Sequence, residues 1–88
     1  MTEKDVIRKA MAIRKWSYPT MVGVMKEKKI RGVSGEFTPS NLTGFMNNNK
    51  NGMRFDNFFK MLKAMDCEIV VRDKHHGKEW VINMEKED

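Results

Sequence analysis

Eighty-eight residues, 40% hydrophobic and 33% charged, fit one small globular domain with a modest core and leave little room for a deep catalytic cleft. No apolar run approaches the roughly 18 residues of a membrane span. The opening Met1-Thr2-Glu3-Lys4-Asp5 has no signal-peptide pattern and the lone Cys67 excludes an internal disulfide, so a cytoplasmic protein is expected. The formal charge of +5 is lopsided: residues 1–34 carry nine Lys/Arg against three acids, residues 35–88 eight against nine. A basic first half suits a polyanion such as nucleic acid, or is simply a solvated surface.

Thr2 with acids behind it is a helix N-cap, and Val6, Ile7, Ala10, Met11 and Ile13 recur at helical spacing, which predicts a first helix over residues 3–15. Ser17 caps a second helix over 18–28, where Pro19 is tolerated in the first turn and Met21, Val22, Val24 and Met25 are apolar. Gly23 weakens that helix by about 1 kcal/mol unless close packing requires it. Residues 28–37, with Gly32 and Gly35, form a long basic loop that either touches phosphate or is a solvated insertion. Thr38-Pro39 then opens a third helix over 38–49. Leu42, Phe45 and Met46 take its inner face, leaving Ser40, Asn41, Thr43, Gly44, Asn47 and Asn48 outside. That outer face is small or amide-bearing and uncharged.

Phe55, Phe58, Phe59, Leu62 and Met65 mark the core stripe of a fourth helix, with Asp56, Asn57, Lys60 and Lys63 facing water. From Cys67 the period changes to two: Cys67, Ile69 and Val71 alternate, Asp73 to Lys78 is a turn, and Trp80, Ile82 and Met84 alternate again. The pattern predicts a β-hairpin over 67–84 followed by a polar tail, 85–88. The expected fold class is mainly α: four helices in residues 1–66, then the hairpin.

Three stretches, in order, resemble the lambda-repressor/Cro-like (XRE-type) helix-turn-helix regulators. Ser40-Asn41-Leu42-Thr43-Gly44-Phe45-Met46-Asn47-Asn48 looks like that family's recognition helix and its Asn-Gly exit. Phe55 through Val71 looks like the following helix and strand, and Ser17-Tyr18-Pro19-Thr20-Met21 matches the start of the second helix. The resemblance covers roughly residues 3–71. It departs from the family in the long loop 28–37, where members have a turn of a few residues, and in the hairpin, which resembles Cro-type dimerisation strands, or is a wing beside the DNA, or packs on its own fourth helix.

The resemblance implies a double-stranded DNA-binding transcriptional regulator, a dimeric repressor, whose third helix enters the major groove of a palindromic operator. Ser40, Asn41, Thr43, Gly44, Asn47 and Asn48 then face base edges; amides pair best with adenine, and with no arginine on this face an A·T-leaning site is expected. Lys15, Ser17, Tyr18, Thr20, Lys28, Lys29, Arg31, Lys50 and Arg54 are the candidate phosphate contacts. Ile69, Val71, Trp80, Ile82 and Met84 are the candidate dimer interface. His75-His76 with Cys67 supplies too few ligands for a structural zinc site, and no nucleophile, acid–base pair or phosphate-cradling loop is legible. Neither an enzyme nor a cofactor is expected. Two other readings stay open: an antitoxin that binds both DNA and a toxin, and a protein-interaction adaptor whose basic charge is incidental.

Overall fold

Both ends of the first helix are set by local chemistry. In the computed structural model, which describes residues 1–32, 35–48 and 53–82, Thr2 and Asp5 form a reciprocal capping box at the start of α1 (Glu3–Arg14). Ser17 caps α2 (Tyr18–Glu27) by accepting the Thr20 amide. Thr38 and Asn41 repeat the capping box at α3 (Pro39–Asn47). Arg54 precedes α4 (Phe55–Ala64) without a side-chain cap. The chain ends its described course in an antiparallel hairpin of β1 (Ile69–Asp73) and β2 (Lys78–Ile82).

Three helices stop in the same way. Lys15, Lys29 and Asp66 each adopt left-handed backbone, with φ of 59°, 60° and 58°. In each case that residue's amide bonds the carbonyl three back, and the next residue's amide bonds the carbonyl five back. The residues that follow, Trp16, Ile30 and Cys67, turn onto the core, completing a Schellman-type stop. Glycine adopts this conformation freely; a lysine there costs about 1 kcal/mol.

The core is rich in methionine. Met11, Met21, Met25, Met46, Met61 and Met65 are buried together with Ile7, Val22 and Leu42. Unbranched thioether side chains fill irregular gaps between short helices. Helix α2 packs against α3 and α4, and α1 against α4. The loop after α2 is anchored rather than solvated: Ile30 and Phe37 are buried, Phe37 meets Phe45 edge-on at 6.2 Å, and Gly32 pairs with Gly35.

Two core expectations fail. Ile13 is 80% exposed although it shares a helical face with Val6, which packs against the core. Phe55, at the first position of α4, is 50% exposed and stacks on Phe59 instead of entering the core, while Met61 takes a fully buried place. The hairpin strands are also shorter than the alternation suggested, beginning at Ile69 rather than Cys67. No helix among the described residues is long and apolar enough to cross a membrane.

Candidate functional site

Helix α3 is clamped at both ends, which fixes the orientation of its outer face. At its start Asn41 Oδ1 accepts the Thr38 amide at 3.1 Å, and the Thr38 hydroxyl accepts the Asn41 amide at 3.1 Å. At its end the Lys4 ammonium donates to the Asn48 carbonyl, and Arg8 Nη2 donates to the Met46 carbonyl at 3.4 Å. Cations suit the negative end of a helix. Beneath, Leu42 and Met46 are buried and Phe45 is partly so.

All six residues expected on the outer face of α3 are exposed. They differ in what they have left to offer. Ser40 and Asn47 make no hydrogen bond through their side chains among the described residues. Asn41 has one lone pair committed to the cap, which leaves its two amide hydrogens outward. Thr43 donates its hydroxyl proton to the Pro39 carbonyl at 2.9 Å, so it presents an acceptor oxygen and a methyl group. At Gly44 an added Cβ would meet nothing within 4 Å, so nothing inside the protein requires glycine there.

The candidate phosphate contacts divide into separate groups. Ser17 and Thr20 hydroxyls bond each other at 3.0 Å at the start of α2, where Tyr18 leans on the core; Lys15 stands exposed just before them. Lys29 and Arg31 are exposed in the loop. Lys28 is drawn to the end of α4, where Nζ bonds the Ala64 carbonyl at 3.2 Å and Asp66 Oδ1 at 2.7 Å. There it lies by Arg14, which stacks over Trp16 and donates to the Met65 carbonyl at 2.7 Å. Arg54 pairs with Asp56 at 3.5 Å. Lys50 and Met84 lie outside the described residues.

Four carboxylates sit below their ordinary pKa values, each for a local reason. Backbone amides, its own and that of Met53, hold Glu3 down. The Thr2 amide and hydroxyl hold Asp5 down, the Lys28 hydrogen bond and charge lower Asp66, and the His76 ring and turn amides lower Asp73. Asp5 serves a cap and Asp73 a turn, Glu3 and Asp66 hold contacts distant in sequence, and none of the four is on α3. Among the described residues no three metal-binding side chains gather.

The hairpin register places Ile69 opposite Ile82 and Val71 opposite Trp80 on one face, with Val70 opposite Val81 on the other. Val70, Val71, Trp80 and Val81 are 46–54% exposed, and of the paired apolar residues Ile69 packs on the core. Val70 and Val81 were not among the expected interface residues. The adjacent pairs Val70-Val71 and Val81-Ile82 carry the signal, because neighbours in a strand point to opposite faces. Lys26, Lys60 and Lys63 were likewise not singled out, yet they line clefts beside Lys29 and Arg31.

No family model, curated protein or solved structure matches this chain.

Proposed function

We propose that the protein is a sequence-specific double-stranded DNA-binding regulator, a dimeric repressor of helix-turn-helix type in which α3 enters the major groove. The observation that carries this reading is the outer face of α3. It is exposed, uncharged, and held rigid by caps that leave the groups of Ser40 and Asn47 outward. A groove lined with base edges rewards short donors and acceptors on a helix that can approach closely, and Gly44 permits that approach. Ser17 and Thr20 at the start of α2, with Lys15, supply the register-fixing contacts to phosphate.

A regulator of this size reads few base pairs per copy, so a palindromic site bound by two copies follows. The exposed hairpin supports the pairing, with Val71, Trp80 and Ile82 toward the second copy while Ile69 stays on its own core. The second apolar face, Val70 with Val81, favours a further protein partner and keeps the antitoxin reading alongside the repressor.

The test is selection of duplexes from a random pool followed by gel-shift titration. The expected result is an A·T-leaning palindrome bound at least tenfold more weakly by the Ser40→Ala, Asn47→Ala double variant. Sequence-blind binding that ignores the double variant, or salt-insensitive capture by a protein instead, overturns the proposal.

A further inference from the structure

Two elements distant in the chain bring cations to one open cleft. The loop supplies Lys29 and Arg31, and α4 supplies Lys60 and Lys63, around a space of about 310 Å³ floored by Ile30 and Phe59. Lys29, Arg31 and Lys60 form no ion pair with any described carboxylate, although Lys28, the neighbour of Lys29, does. Lys29, Arg31 and Lys60 repel one another, Glu36 stands at the neighbouring cleft that Lys29 and Arg31 also border, and an anion in this cleft relieves the repulsion.

Lys29 places its cation on the cleft from the helix stop that ends α2. Its left-handed conformation is the one glycine takes most easily, and the residue there is a lysine whose side chain lines the cleft. Lys15 and Asp66 take the same conformation at the ends of α1 and α4, so the helix stop accounts for the backbone and only the side chain's place on the cleft is particular to Lys29. Lys29, Ile30 and Arg31 also border a second cleft with Glu36 and Phe37, and those two residues border a third that includes Asn41 of α3.

We propose that the Lys29–Arg31–Lys60–Lys63 cleft binds DNA backbone phosphate beside the segment that α3 reads, a sequence-independent clamp formed by the long loop and α4. The proposal rests on the DNA-binding reading given above. Arg31 grips a phosphate with its planar fork and the lysines neutralise its neighbours, while Ile30 and Phe59 cover the aliphatic stems.

The test measures binding to a random-sequence duplex across a range of KCl. Arg31→Ala with Lys60→Ala should bind at least tenfold more weakly at 0.1 M salt, with the slope of log K against log salt reduced by about two. Lys9→Ala with Lys74→Ala, which removes two exposed cations outside the cleft, should change affinity less than twofold. Lys29→Gly should melt higher yet bind more weakly, an opposition that a purely structural lysine does not give. Equal effects of the cleft pair and the control pair overturn the proposal, and so does tighter or unchanged binding by Lys29→Gly. Sequence-selective binding that ignores Arg31 and Lys60 overturns the clamp alone. Sequence-blind binding that depends on them overturns the reading of α3 and leaves the clamp standing. No duplex binding overturns both.

Discussion

Lys28 closes the end of α4 from another helix: its ammonium is 2.7 Å from Asp66 Oδ1 and also takes the carbonyls of Ala64 and Lys63, at 3.2 and 3.4 Å. A cation just past α2 thus neutralises the negative end of α4 and holds Asp66 in its left-handed turn. Lys28→Met keeps the apolar stem and removes the donor, and should lower Tm by about 5 °C. The pair also carries pH dependence. Asp66 is held below its ordinary 3.8, so its contribution is complete above that value and is lost as pH falls through the lower folded value. An acid-melting series should therefore show a weaker loss of Tm below pH 4 for Asp66→Asn than for the unaltered chain. An identical acid limb for both would show that the pair contributes nothing.

Asn41 offers a way to separate folding from binding on α3. Its Oδ1 completes the capping box, so replacement by alanine would uncap the helix as well as remove an outward amide. Asn41→Asp keeps the acceptor and places a negative charge in the first turn, where the helix dipole favours it. Tm should stay level or rise, while DNA affinity should fall at least tenfold, since a carboxylate inside the groove of a polyanion replaces the amide donors that would meet base edges. Loss of stability would contradict the cap, and unchanged affinity would place the DNA elsewhere.

Gly23 and Gly44 form a matched pair. Both lie inside helices, both are exposed, and at both an added Cβ meets nothing within 4 Å. Either change to alanine should therefore stabilise the fold by about 1 kcal/mol. Only Gly44→Ala should weaken DNA binding, because only Gly44 faces the proposed groove. Equal behaviour of the two variants in binding would remove Gly44 from the interface.

The helix starts were legible because Thr2, Ser17 and Thr38 act through contacts three residues away, within a single sequence window. The helix stops were placed within a residue or two, but their left-handed geometry was not legible. Lys15, Lys29 and Asp66 occupy positions where glycine is the recognisable sign, and their conformation is enforced by Trp16, Ile30 and Cys67 turning onto a core assembled from the whole chain. The outer face of α3 was legible from the spacing of Leu42, Phe45 and Met46, whereas the commitment of Lys28 to α4 depends on a contact 38 residues away in sequence. Ile13 and Phe55 obey helical spacing yet stay exposed, since spacing fixes a face and not how far the neighbouring helix extends to cover it.

The hairpin gives the sharpest statement about assembly. A two-stranded sheet is marginal in water, and this one exposes Val71 and Trp80 on one face with open strand edges. Covering that face with the same face of a second copy would bury the tryptophan, the residue type that most often dominates an interface. Sedimentation should show a dimer for the unaltered chain. Trp80→Ser should raise the dimer dissociation constant by roughly thirtyfold or more, equivalent to about 2 kcal/mol. Val70→Thr keeps the β-branch on the opposite face and should leave the dimer intact. A dimer indifferent to Trp80 but broken at Val70 would transfer the interface to the Val70–Val81 face. Indifference to both would detach dimerisation from the hairpin and leave both apolar faces for other protein partners.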